Sequence, residues 1–179
     1  MSAADIDEHG QHRPSASSPS ALKLSIIIPV LDEESNLSRL RQSLRTFLDQ
    51  GHEVIIVDGG SRDNSLMIAY EITPQVIVSH AGRAIQMNSG AAIASGDVLL
   101  FLHADTALPE NALHTVLGQF DGDSLFQQRW GRFNVRLSSN RFIYRIIELL
   151  INIRSCLSSI ATGDQAIFVR TDVFRQLGG

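Results

Sequence analysis

The amino-acid sequence predicts an α/β fold, a mostly parallel sheet with helices on both of its faces. Two observations carry that prediction. Four short apolar runs recur along the chain, and the segments between them repeat their apolar residues at helical spacing. Strands that are apolar throughout are those buried on both faces, and their alternation with helices marks βαβ units.

Residues 1–22 stand outside this pattern. They are rich in Ser, Ala, His and Pro, have no hydrophobic period, and read as a disordered leader. The texture changes at Lys23, and residues 23–179 are expected to form one domain. Leu24 to Val30 reads as the first strand. Leu37, Leu40, Leu44 and Phe47 or Leu48 then define a helix that Gly51 closes. Val54 to Val57 is a second strand, and Asp63 is placed to cap a helix reaching Ile72. Val76 to Val78 is a third strand, followed by a helix from Arg83 to Ala94 whose Gly90, Ala91, Ala92 and Ala94 suit close packing on a sheet. Val98 to Leu102 is the fourth strand, and Pro109 is expected to open a helix reaching Phe120. Beyond that point regularity fades. Arg132 to Leu137 alternates like an edge strand, Arg141 to Leu157 looks helical, Ala166 to Val169 is a further strand, and Thr171 is expected to cap a last short helix.

Composition narrows the function classes. The net charge of −4 argues against a nucleic-acid binder, which carries a basic face. Cys156 is the only cysteine, so no internal disulfide forms, which fits a reducing compartment. No basic stretch followed by an apolar one marks a secretory signal. The most apolar late segment, Phe142 to Ile160, is interrupted by Arg145, Glu148 and Arg154. It reads as a soluble helix, or one lying on a membrane surface, rather than a span. A cytoplasmic location follows, with peripheral contact at the inner face of the membrane as its variant.

In an open parallel sheet, ligands bind beyond the carboxyl ends of the strands. Asp32-Glu33-Glu34 follows the first strand, Asp58-Gly59-Gly60-Ser61 the second, and His103-Ala104-Asp105-Thr106 the fourth. Each has a local reading as helix-terminal or turn chemistry. Their coincidence on one rim points elsewhere, because crowded carboxylates repel unless a cation or a donor-rich ligand lies among them. A divalent metal with a nucleotide supplies both. No glycine-rich dinucleotide fingerprint and no Walker loop occurs, so phosphate must be held by metal and side chains.

With these residues laid out, the chain from Leu24 to Gly179 resembles a family 2 glycosyltransferase of the GT-A fold. Ser25 to Glu33 is similar to that family's opening strand, and Val57-Asp58-Gly59-Gly60-Ser61-Arg62-Asp63 to its second motif. Gly82-Arg83-Ala84, Gln86-Met87-Asn88 and Gly90-Ala91 resemble the helix before its fourth strand. Phe101-Leu102-His103-Ala104-Asp105-Thr106 stands where the family carries Asp-x-Asp. Trp130 to Phe133 and Ala161 to Arg170 resemble a bacterial subgroup, some of whose members are labelled arsenosugar-biosynthesis glycosyltransferases.

The resemblance implies transfer of a sugar from a nucleotide-diphosphate donor, with UDP the expected nucleotide, to an acceptor hydroxyl with inversion. Pro29, Leu31, Glu33 and Asp58 would line the nucleoside pocket, and Arg83 would approach the diphosphate. Ala104 and Asp105 would touch the donor, with Asp105 holding Mn²⁺ or Mg²⁺. His103 replaces the usual first Asp, and either ligates the metal or hydrogen-bonds nearby. The family's usual base, in a Glu-Asp pair after Gly-Gly-Phe, has no counterpart here, since the sequence ends at Leu177-Gly178-Gly179. The domain is therefore expected to be truncated at its C-terminus, either as a fragment or as a chain that has lost catalysis. Asp164 is the late acid placed for the acceptor side, with a turn-capping role as its alternative. Two other functions stay open: a non-catalytic nucleotide-sugar module, and a sugar nucleotidyltransferase. The second is disfavoured because the first strand lacks a glycine-rich loop.

Overall fold

A computed structural model describes residues 22–120, 130–133 and 166–179. The expected leader (but for Leu22), the expected helix at 141–157 and Asp164 lie outside the described residues. The elements run β1 (Leu24–Val30), α1 (Glu34–Asp49), β2 (Glu53–Asp58), α2 (Ser65–Ile72), β3 (Val76–Val78), α3 (Arg83–Ile93) and β4 (Val98–Phe101). They continue with α4 (Ala112–Leu117), β5 (Trp130–Arg132), β6 (Ile167–Arg170) and α5 (Thr171–Gln176).

Among the described residues the sheet has the order β3-β2-β1-β4-β6-β5. The first four strands pair in parallel, with Ile27 opposite Ile55 on one side and Phe101 on the other. β6 then inserts antiparallel between β4 and β5, with Leu100 opposite Phe168 and Phe168 opposite Gly131. The apolar runs are buried because every residue of β1, β2 and β4 is covered on both faces. Alternation sorts their side chains. Leu24, Ile26, Ile28 and Val30 pack with Leu37, Leu40 and Leu44 of α1, Ile68 of α2 and Val116 of α4. Ile27, Ile55 and Val57 pack on the opposite face with Ala91 of α3 and Val173 and Phe174 of α5. Gly90 lets α3 lie close, since a Cβ there would stand 2.5 Å from Ile27 Cγ2.

Three local expectations are corrected. Pro109 does not open a helix: it accepts the Ala112 N–H in a turn, and α4 begins at Ala112. Asp63 is not the residue adjoining α2, which is Asn64. Its carboxylate instead serves two helices, Oδ1 taking the Ser65 N–H and Oδ2 the Glu34 N–H. Burial pushes that carboxyl up, but the bonds from Ser65 and Glu34 outweigh it and hold Asp63 below the usual carboxylate range. Thr171 does not cap its own helix either, because its hydroxyl donates to Gly96 O at 2.6 Å and ties α5 to the turn before β4.

Candidate functional site

The strand order reverses between β1 and β4: β2 and β3 lie to one side of β1 and β4 to the other. A pocket of about 300 Å³ opens at the carboxyl ends of those two strands, the place where an open α/β sheet binds ligands. Pro29, Val30, Leu31 and Glu33 form its β1 wall, and His103, Ala104 and Asp105 its β4 wall. Gly82, Arg83 and Gln86, from the start of α3, close the third side. Seven of the eight site residues expected around the donor, His103 among them, therefore meet in one cavity. Asp58 is not on its wall.

The acidic cluster after β1 divides by function. Asp32, at φ 55°, takes the Arg62 N–H on Oδ1 at 2.6 Å, and its own N–H goes to Ser61 Oγ. Glu34 accepts from the Asn64 N–H and Nδ2, and Ser65 Oγ accepts the Glu33 N–H at 2.8 Å. The loops that precede α1 and α2 thus satisfy each other's free amides, which helix starts require. This clasp uses up Asp32 and Glu34 and leaves Glu33 on the pocket, steadied by Asn36 Nδ2 at 2.6 Å.

Asp58 ends β2 one strand away from the pocket, paired in register with Val30. It is 2% exposed. Oδ2 accepts the N–H groups of Gly60 and Ser61 at 2.8 and 3.0 Å, a turn that Gly60 completes at φ 93°. Oδ1 is buried with no hydrogen-bond partner among the described residues. A buried carboxylate oxygen left in that state is costly, and a ligand donor removes the cost.

The β4 wall is stepped. His103 is 6% exposed, while Asp105 stands in solvent and receives the Thr106 hydroxyl at 3.2 Å. Arg83 is exposed at the first turn of α3, where helix amides also face outward. Among the described residues no three His, Cys, Asp or Glu side chains gather into a complete metal site. Asp105 and His103 offer two donors, a set that suits an ion whose remaining ligands are water and phosphate oxygens.

Gln86, which the sequence places near the site with a backbone-tying role as its alternative, ties backbone together. The amide is 3% exposed, and its Nε2 donates to Val30 O and Val57 O, both at 2.8 Å. Glu53 was missed altogether. A lone acid opening an apolar strand was the available signal.

Comparison with solved structures identifies the fold as that of the GT-A glycosyltransferases. A glucosyl-3-phosphoglycerate synthase from Mycobacterium tuberculosis, solved with Mn²⁺ and UDP-glucose, superposes with a TM-score of 0.65 at 18% identity. That match covers 90% of this chain and 63% of the other. The mannosyltransferase PcManGT from Pyrobaculum calidifontis, solved with GDP-mannose and Mn²⁺, gives 0.63 at 16% identity, over 93% of this chain and 50% of that one. The sequence narrows the class further. Residues 25–177 match glycosyl transferase family 2, and the chain belongs to that family. A PGL/p-HBAD biosynthesis glycosyltransferase of Mycobacterium tuberculosis is 30% identical over 86% of this chain and 61% of its own length. A glycosyltransferase of Synechocystis that carries no assigned function is 26% identical over 74% of this chain and 46% of its own. The chain thus spans about half the length of these relatives.

Proposed function

We propose that the pocket between β1 and β4 binds a nucleotide-diphosphate sugar, with UDP as the nucleotide, and that the protein transfers the sugar to an acceptor hydroxyl with inversion. The observation that carries this reading is the meeting of Arg83 and Asp105 across one cavity at the reversal of strand order. A guanidinium at a helix N-terminus suits phosphate, and a carboxylate opposite it suits a divalent cation on that phosphate. Bound Mn²⁺ or Mg²⁺ supplies neutralisation of the charge that builds on the leaving diphosphate. Asp105 would hold the ion, and His103 would either ligate it as well or hydrogen-bond nearby. Glu33 accepts a hydrogen bond from the nucleoside inside the pocket, where Pro29 and Leu31 give it apolar contact and Ala104 leaves room beside the sugar. The orphaned Oδ1 of Asp58, off the pocket wall, accepts another where the nucleoside extends past β1 to the end of β2. Arg83 pairs with the diphosphate. Single displacement also needs a base for the acceptor hydroxyl. We assign that role to Asp164.

Calorimetric titration with UDP, with and without Mn²⁺, tests the donor site. We expect binding strengthened by Mn²⁺ and that increment abolished in Asp105→Asn, because the amide cannot replace the anionic oxygen. Unchanged metal-dependent affinity in the variant would remove Asp105 from the site.

A further inference from the structure

The two walls of the pocket come from strands that are hydrogen-bonded neighbours along most of their length, so something must part them at one end. Pairing between β1 and β2 continues to Val30 opposite Asp58, whereas pairing between β1 and β4 stops at Ile27 opposite Phe101. The last bond on the β4 side is Leu102 N–H to Ile27 O at 3.0 Å, which shows that Ile27 turns its backbone groups toward β4. Groups two residues apart on a strand face the same neighbour, so position 29 turns its nitrogen toward β4 as well. That residue is Pro29, which has no N–H to give. Proline is foreign to the interior strand of a sheet, yet β1 lies between β2 and β4.

Gln86 acts on the other edge. Its Nε2 spends one hydrogen on Val30 O and the other on Val57 O, bracketing the ends of β1 and β2, while Oε1 accepts the Gly82 N–H at 3.3 Å. The amide sits so close to Gly59 that a Cβ there would come within 3.1 Å of Nε2. The end of β1 is therefore pinned to β2 and to the start of α3, and released from β4.

We infer that Pro29 and Gln86 set the width of the donor pocket, Pro29 by withholding a ladder bond from β4, a role separate from its apolar contact with the nucleoside, and Gln86 as a positioning residue that fastens β1 to β2. This inference rests on the donor-site reading above. Continued pairing in the same register would otherwise draw Val30 and Leu31 toward Ala104 and Asp105 and narrow the cavity.

The test uses the full chain and the variants P29A, Q86L and Q86E, with R83A as the control for the donor site. The readouts are UDP affinity with Mn²⁺, Tm, and amide exchange at position 29. In P29A the new amide is expected to be protected from exchange, with UDP affinity about tenfold or more weaker and Tm unchanged or higher. Q86L, which keeps the bulk but cannot donate, and Q86E, which can donate one hydrogen at most, are expected to weaken UDP, Q86L at least as much as Q86E, while remaining folded. A purely structural role would lower Tm and leave affinity untouched. The inference is overturned if P29A and Q86L bind within about twofold of the parent while R83A binds weakly. Failure of P29A to fold also overturns it, since an added donor should not unfold a site that merely lacked one. If R83A too binds like the parent, the donor reading itself has failed.

Discussion

Strand β2 carries a buried carboxylate at each end, and the two have opposite fates. Glu53 opens the strand at 5% exposure and Asp58 closes it at 2%. Around Glu53 every donor is supplied. The Ser25 and Ser95 hydroxyls, the Ser95 N–H and Gln75 Nε2 all donate to it, and Lys23 Nζ lies 4.0 Å away. Burial pushes this carboxyl up, yet the hydrogen bonds from Ser25, Ser95 and Gln75 outweigh it and lower the pKa to about 2. Neighbouring His52 accepts the Leu24 N–H on Nδ1 at 3.3 Å, and burial, with Lys23 close by, lowers its own pKa and keeps that nitrogen an acceptor. Asp58 has two backbone donors on one oxygen and none on the other. The same chemical group is therefore a finished joint at the amino end of the sheet and an open valence at the carboxyl end. A buried carboxylate with all its donors supports the fold, whereas an oxygen left without one costs it stability.

Breaking the finished joint should produce the largest effect. Glu53→Ala strands the Ser25, Ser95 and Gln75 donors, and we expect a loss of about 3 kcal/mol, read as a fall of about 10 °C in Tm. UDP affinity of the folded variant should not change, and a parallel loss of binding would abolish the distinction between the two ends. The acid limb of stability sharpens the same point. Because Glu53 has a folded pKa of about 2, below its unfolded value, its contribution is fully present above about pH 4.5 and is lost as pH falls toward 2. That contribution is roughly 3 kcal/mol at most. Glu53→Gln should flatten this limb, so equal acid sensitivity in parent and variant would show the carboxylate is not so held. Asp58→Ala should have the smallest structural effect, about 1 kcal/mol or less, since it loses two turn bonds but also removes an orphaned oxygen. Its effect on UDP should be about tenfold weaker binding with or without Mn²⁺. Loss confined to the metal-containing titration would move Asp58 from the nucleoside to the diphosphate.

Much of this molecule was legible before any coordinates. The apolar runs of β1, β2 and β4 announced strands buried on both faces, and β1 falls at Leu24–Val30 as the sequence implied. Helical spacing of Leu37, Leu40 and Leu44 marked the face of α1 that meets the sheet. The rim holding Glu33 and Asp105 was legible too, because parallel strands bring all their carboxyl ends to one edge, whereas Arg83 entered only through the family resemblance. What stayed hidden was which acids were already occupied. Asp32 and Glu34 look like ligand-binding residues in the sequence, but they are engaged, with Asp63, in the clasp between two loops. Those partners lie about 30 residues away, beyond any local pattern.

The sequence by itself determined the alternation of strands and helices, the apolar faces and the edge on which the polar residues collect, because these follow from short-range periodicity and strand direction. Only the tertiary structure decided that β6 slips antiparallel between β4 and β5, with Phe168 filling the space above Gly131. It alone decided that Gln86 spans two strand ends, and that Glu53 is satisfied while Asp58 is not. The reason is physical: hydrogen-bond saturation depends on which distant groups come within about 3 Å, and that is settled by packing rather than by neighbours along the chain.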